Sequence, residues 1–332
     1  MSIRAAGSAA ADGFPPHHVK GGFTNPGYGP HGTPALSVSL PFVLRRAGAM
    51  LSPPRDLAAR RISDGAARLA DAAALDAPTV TWVGHSTLLV RMAGVTFLTD
   101  PIWSESASPV SLGPRRLVAP GLAIDDLPGI DFVVVSHNHY DHMDVSTLRE
   151  LARRGTRFLV PLANAHILAR YGIAPVEELD WWQSVRIGDA EVHCVPARHW
   201  SRRGLFDMNA ALWSGWVVTV GERKFYFAGD TGSFSGFAEI GERFGPIDLA
   251  AIPIGAYLPR EMMAPAHLDP DEAVAALADL GARRSVAVHF GTFVLSDEPF
   301  DAPPRRFREA SDRAGRGEAR DWVLDVGETR PW

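Results

Sequence analysis

Four side chains able to bind a metal fall within six residues, His137-Asn138-His139-Tyr140-Asp141-His142. Neutral imidazole and carboxylate are ligands that zinc and other borderline divalent ions accept. In an extended segment, residues two apart point the same way, so His137 and His139 can grip one ion together. Asp141 and His142 follow once the chain turns toward the next helix. They face another direction and can hold a second ion nearby. A metal-free account would leave three histidines and an aspartate at a strand end for no chemical purpose. Two ions need further ligands, expected at the ends of later strands. His199 in Ala197-Arg198-His199-Trp200, Asp230 in Gly229-Asp230-Thr231-Gly232 and His289 before Phe290-Gly291-Thr292 meet that requirement.

The elements that must position these residues can be read from apolar runs and their punctuation. Segment 131–136 carries Phe132-Val133-Val134-Val135, a continuous apolar run suited to a strand covered on both faces. Strands are expected over 79–83, 88–92, 95–99, 157–160, 191–196, 212–220, 223–228, 249–254 and 285–289, with a possible closing strand over 322–325. Helices are expected over 144–154, with Asp144 as N-cap, and over 163–171, 237–244, 269–280 and 303–315. Strands dominate early and alternate with helices later. That pattern predicts an α/β fold of two sheets with helices outside, an αβ/βα sandwich. Residues 1–34, rich in Gly, Pro, Ala and His, are expected either to lack order or to lie across a folded surface. Residues 1–77 are read as an N-terminal extension and 78–332 as the folded domain.

Composition excludes several classes. At 46% hydrophobic and 21% charged, the 332-residue chain is neither disordered nor fibrous in the main. Its 33 basic and 38 acidic residues give a formal charge of −5, which offers no electrostatic reason for a nucleic-acid partner. Cys194 is the only cysteine, so no intrachain disulfide can form, and its apolar neighbours mark it as a buried, inert thiol. No apolar window is long enough for a spanning helix, and residues 1–16 lack the apolar core of a secretory signal.

The sequence resembles the metallo-β-lactamase superfamily, and within it the N-acyl-phosphatidylethanolamine-hydrolysing phospholipase D family. The resemblance rests on Thr81-Trp82-Val83-Gly84-His85-Ser86-Thr87, Phe97-Leu98-Thr99-Asp100-Pro101-Ile102, the hexapeptide with Ser136 before it, Leu179-Asp180-Trp181-Trp182 and Phe227-Ala228-Gly229-Asp230-Thr231-Gly232. The stretches Ile252-Pro253-Ile254-Gly255-Ala256-Tyr257 and His267-Leu268-Asp269-Pro270-Asp271-Glu272-Ala273-Val274 narrow it from superfamily to family. It implies the four-layer fold and two zinc ions per chain. One would be held by His137, His139 and His199, the other by Asp141, His142 and His289, with Asp230 bridging.

The resemblance also implies a lipid phosphodiester substrate, cleaved to phosphatidic acid and an N-acylethanolamine, and a homodimer. Two ions about 3.5–4 Å apart can share a hydroxide at neutral pH, which would attack phosphorus in line while the metals neutralise the developing charge. Asp141 can orient the nucleophile or shuttle its proton. His267, placed by the resemblance at the substrate mouth, could protonate or polarise the leaving alkoxide. The family's animal members carry glutamine where this chain has Ala266, which bears on the substrate contacts of that loop. His85 is read as a supporting residue, His166 and His193 as packing residues, and His17, His18 and His31 as uninvolved in catalysis. Trp181, Trp182, Trp213 and Trp216 could line an acyl channel; core filling is the reading adopted. The apolar stretch Leu40-Pro41-Phe42-Val43-Leu44 with Arg45-Arg46 could rest on an anionic membrane surface or pack on the protein itself. A cytoplasmic protein with peripheral membrane contact is the resulting expectation. The alternative activity is a metal-dependent lactone or carboxylic-ester hydrolase of the same superfamily.

Overall fold

Apolar runs bounded by glycine, proline or charged turns become the strands of two stacked sheets. The computed structural model describes residues 15–28, 36–51, 61–74, 77–109 and 113–332; His31 lies outside them. The chain opens with a short pair, β1 (His18–Val19) and β2 (Gly22–Phe23), then α1 (Leu36–Leu51) and α2 (Gly65–Ala73). One sheet places β3 (Thr79–Gly84), β4 (Thr87–Met92), β5 (Val95–Thr99), β6 (Phe132–Val134), β7 (Arg157–Pro161) and β8 (Val176–Leu179) side by side in chain order. The other does the same with β9 (Ser184–Ile187), β10 (Ala190–Val195), β11 (Gly215–Val220), β12 (Arg223–Phe227), β13 (Ile247–Pro253), β14 (Ala282–Val288) and β15 (Asp321–Trp322). The last strand, β16 (Thr329–Pro331), returns to pair with β3.

Alternation along the first sheet sorts its side chains between two cores. Leu88, Val90, Phe97, Phe132 and Val134 pack toward the second sheet. Leu89, Leu98, Val133 and Val135 pack on the opposite side, with residues of α2, α3 (Val145–Arg153) and α4 (Ala165–Ala169). Phe97 stacks on Phe132 at 5.0 Å and meets Phe225 of the second sheet edge-on at 5.5 Å. Beyond the second sheet lie α5 (Gly236–Phe244), α7 (Pro270–Asp279) and α8 (Ala302–Arg313), which bury Phe237, Leu277 and Phe307. The order helix, sheet, sheet, helix is the expected αβ/βα four-layer sandwich. The short α6 (Arg260–Met263) stands outside these layers, above the site described below.

Strand direction places the functional loops. The ladders β5–β6–β7 and β12–β13–β14 are parallel, so the C-terminal ends within each ladder share one edge. Two antiparallel steps separate β3 from β5 and β10 from β12, so these strands also point that way. Asp144 caps α3 as expected, accepting from the Ser146 N–H at 3.2 Å.

Residues 40–46 pack in part on the protein itself. Phe42 of α1 is buried against the body, while Leu40, Val43 and Leu44 are exposed. Arg45 and Arg46 both pair with Asp297 on the protein's own surface. Among the described residues no helix is long and apolar enough to cross a membrane.

Candidate metal centre

Loops leaving β3, β5, β6, β10, β12 and β14 converge at this edge. In the first group, His137 Nε2 lies 2.8 Å from His139 Nδ1, which lies 3.3 Å from His199 Nε2. In the second, Asp141 Oδ2 lies 3.3 Å from His142 Nε2 and 3.5 Å from His289 Nε2. Asp230 sits between the groups. Its Oδ2 is 3.2 Å from His142 Nε2, 3.0 Å from His289 Nε2 and 3.9 Å from His199 Nε2.

The donor set fits divalent cations. His142 Nε2, His289 Nε2 and Asp230 Oδ1 are buried with no hydrogen-bond partner among the described residues. The nitrogens of His142 and His289 thus approach Asp230 Oδ2 to near 3 Å without donor–acceptor alignment, as ligands around a common cation do. Orphaned buried polar atoms are otherwise costly and rare.

The surrounding hydrogen bonds decide which imidazole nitrogens face inward. The Asp100 carboxylate accepts from the Ser136 N–H at 2.6 Å, from the Ser136 hydroxyl, and from His142 Nδ1 at 2.6 Å. His142 therefore carries its proton on Nδ1 and turns the Nε2 lone pair inward. Because the Ser136 hydroxyl proton goes to Asp100, its oxygen is left to accept from His137 Nδ1 at 2.8 Å, and His137 Nε2 also faces inward. His199 Nδ1 donates to the Ala266 carbonyl at 2.9 Å, with the same result. Such outer contacts fix ligand tautomer and orientation in metal sites. His85, buried, contributes Nε2 at 3.0 Å to Asp141 Oδ2, in keeping with a supporting role.

Charge in the cluster is tightly coupled. Burial works against ionised Asp141 and Asp230, yet the adjacent His142 and His289 hold both well below the usual carboxylate range. Burial likewise opposes a charged His142 and His289. The carboxylates override it, raising His142 well above its ordinary value and His289 to about 9. A dication bound here would take the place of those protons. Burial pushes His139 down to about 4 and His85 to about 3.

Backbone strain concentrates here. His85, Asp100 and His289 have φ of 53°, 35° and 61°, in the left-handed region that non-glycine residues seldom occupy. Gly229, at φ 60°, must be glycine, because a Cβ there would lie 2.5 Å from Ser136 Cβ and 2.9 Å from the Ser214 carbonyl oxygen.

The sequence profile described as Beta-lactamase superfamily domain matches residues 96–290. An N-acyl-phosphatidylethanolamine-hydrolyzing phospholipase D from Caenorhabditis elegans is 42% identical over 265 residues, covering 75% of this chain and 74% of its own. A mitochondrial protein of the same name from Saccharomyces cerevisiae is 35% identical over 71% of this chain, which spans 52% of the yeast protein. Among solved structures, a metallo hydrolase from Ignicoccus hospitalis is similar in fold, with TM-score 0.59 and 22% identity over 77% of this chain and 98% of its own. The chain belongs to the metallo-β-lactamase superfamily. It is a metal-dependent hydrolase of that superfamily, and it resembles the N-acyl-phosphatidylethanolamine-hydrolysing members.

In this hydrolase the cluster floors a cleft of about 460 Å³. His139, Asp141, Asp230, His267 and His289 form the floor, and Phe42, Trp200, Met208, Met262, Met263 and Leu295 supply apolar walls. His267 lines this cleft with Nδ1 3.9 Å from Asp230 Oδ2, so it is not a surface histidine. Burial pushes its pKa down to about 3. Arg260 anchors its carbonyl at 3.0 Å and grips Glu272, which completes the capping box of α7 with Asp269.

Sequence reasoning missed Asp100 and Ser136 as individual residues, though both lie in quoted stretches. Their signal was a polar residue directly after an apolar strand. Trp213 and Trp216 are buried in the core as expected. Cys194 is buried too, and desolvation raises its thiol pKa. His166 is exposed on α4, which corrects its reading as a packing residue. His193 packs on Phe244, with ring centroids 4.8 Å apart.

Proposed function

We propose that this hydrolase is a zinc-dependent phosphodiesterase of phospholipase D type, converting N-acyl-phosphatidylethanolamine-like lipids to N-acylethanolamine and phosphatidic acid. The observation that carries the reading is the cleft itself: a polar floor of candidate ligands under apolar walls fits an amphiphile. The named relatives support the same substrate class. In this reading His137, His139 and His199 hold one zinc ion, Asp141, His142 and His289 the second, and Asp230 is shared. Bound zinc supplies a water acidified to a pKa of about 7 and neutralises charge developing on the phosphoryl oxygens.

The chain's own residues do the rest. Asp141, steadied by His85, orients the attacking water. The bond from phosphorus to the ethanolamine oxygen breaks as the water oxygen bonds to phosphorus, and the proton the water sheds passes to the departing alkoxide. His267, neutral at working pH, polarises that alkoxide by hydrogen bonding. Exposed apolar side chains flank the mouth on α1 and on the 205–208 turn, which suits a cytoplasmic protein working at a membrane surface. The homodimer that the resemblance implies belongs to this reading and is checked by solution sizing.

The test is a lipid product assay on zinc-loaded protein. Dispersed N-acyl-phosphatidylethanolamine is expected to give both products in equal amounts. Asp230→Asn is expected to lose turnover and bound metal together, because a neutral amide cannot offset repulsion between two dications. No product from this lipid, alongside turnover of a lactone or carboxylic ester, overturns the reading in favour of that second activity.

A further inference from the structure

Residues 196–214, between β10 and β11, carry His199 without regular secondary structure of their own. A segment remote in sequence holds them. Asn25 is buried and its side chain spans the loop: Nδ2 donates to the His199 carbonyl at 2.8 Å, and Oδ1 accepts from Trp213 Nε1 at 3.2 Å. The same indole N–H reaches the Ala197 carbonyl at 2.9 Å. Phe23 packs with Ala197, Leu212 and Trp213, and its N–H donates to the Asn209 carbonyl at 2.9 Å. The approach is close enough that a Cβ on Gly22 would lie 2.2 Å from the Asn209 carbonyl oxygen.

Both ends of this segment are fastened. His17 and His18 place Nε2 at 2.6 and 2.7 Å from the two oxygens of Asp180, and His17 stacks on Trp181 at 4.2 Å. At the other end the Tyr28 hydroxyl accepts from the Ser235 N–H at 2.9 Å, and its ring lies under the Arg198 guanidinium, next to His199.

We infer that residues 15–28 are a strap that completes the metal centre, with Asn25 a positioning residue for His199. This rests on the reading of His199 as a metal ligand. The Ala266 carbonyl holds the His199 ring, and Asn25 holds its backbone carbonyl. Without Asn25 the backbone hold is lost, and the imidazole no longer meets His137 and His139 in a prearranged geometry. Outer contacts of this kind are worth about 10–100-fold in metal affinity.

The experiment is a stepwise Zn²⁺ competition titration against a chromophoric chelator, on full-length wild type, Asn25→Ala, Asn25→Asp and His199→Ala. Asn25→Asp keeps the shape and the acceptor for Trp213 but cannot donate to the His199 carbonyl, so it guards against a folding failure in the alanine variant. Both Asn25 variants are expected to weaken one ion about 10–100-fold and leave the other at wild-type affinity. A merely structural role would lower thermal stability without singling out one ion. If His199→Ala loses an ion while both Asn25 variants bind two at wild-type affinity, the strap inference alone fails. If His199→Ala still binds both ions, the ligand assignment fails and the strap inference with it.

Discussion

Asp100 is buried beneath the cluster, yet its carboxylate sets the proton positions of one histidine in each group. Asp100→Asn places an amide where three donors converge, so one must turn away or change tautomer. The expected result is a fall of about 10–100-fold in Zn²⁺ affinity, read by chelator competition. Wild-type affinity in that variant would show that the carboxylate is dispensable. His267 offers a test that separates chemistry from metal binding. His267→Ala should still bind two ions, while kcat on the lipid falls by roughly 10²–10⁴-fold. A p-nitrophenyl phosphodiester, whose leaving group departs without help, should lose much less. The His267 pKa is depressed, so the ring is already neutral and raising the pH from about 6 to 8 removes no proton from it; wild-type kcat should show no falling limb there from this residue. Equal losses on both substrates would assign it to positioning instead. At this scale the sequence was highly legible where side-chain type and spacing repeat a ligand pattern. The hexapeptide, His199, Asp230 and His289 do meet. Asp100, Ser136 and Asn25 were not legible individually, because each acts through one remote contact and follows no periodicity.

The strap tests the element scale through acid. Burial, the largest influence, holds His17 below its ordinary 6.5 despite Asp180 beside it. Burial pushes Asp180 up, but hydrogen bonds from His17 and His18 outweigh it and hold the carboxyl below 3.8. Both folded values lie below the unfolded ones. Each group's contribution is therefore complete above its unfolded value and lost as pH falls through the folded one. Hydrogen-exchange protection of residues 17–25, corrected for intrinsic rates, should hold from about pH 7 to 9 and decline below about pH 6. Release on raising the pH from 6 toward 8 would instead mean that a charged His17 makes the clasp. Apolar runs such as Phe132-Val133-Val134 and amphipathic helices such as α3 could be read from the chain alone. The strands β8 and β9 could not: Val176-Glu177-Glu178-Leu179 and Ser184-Val185-Arg186-Ile187 are short and charged, as edge strands are. The strap was half legible: lying across a folded surface was one of two readings of residues 1–34, and glycine and proline, which favour turns in either case, left the choice open. Apart from the short β1–β2 pair, its order comes from the surface beneath it.

At the scale of the whole molecule, the proposed work at a membrane surface would rest on apolar contact. A net charge of −5 gives no general attraction to anionic lipid, and Arg45 and Arg46 are taken up by Asp297. Leu205 and Phe206 are 78% and 98% exposed, and Leu40, Val43 and Leu44 on α1 are all more than half exposed. Both segments border the cleft, since Met208 and Phe42 line it. The 205–208 turn is held in shape from within: the Asp207 carboxylate accepts from the Arg203 and Gly204 N–H groups, and the Arg202 guanidinium donates to the Gly204 carbonyl. Its apolar tip is thus presented to solvent on a structured turn. Burying each such side chain in hydrocarbon stabilises the bound state by about 1.5–3 kcal/mol. Replacing Leu205 and Phe206 together with serine should therefore weaken partitioning into phospholipid vesicles by roughly 10²-fold or more. Because the contact is apolar, wild-type binding should change little with salt. The same double variant should keep its metal content and its rate on a soluble phosphodiester, while turnover of vesicle-borne lipid falls with binding. Vesicle affinity equal to wild type would exclude this turn from membrane contact. A parallel loss on the soluble substrate would show that it serves as a wall of the cleft.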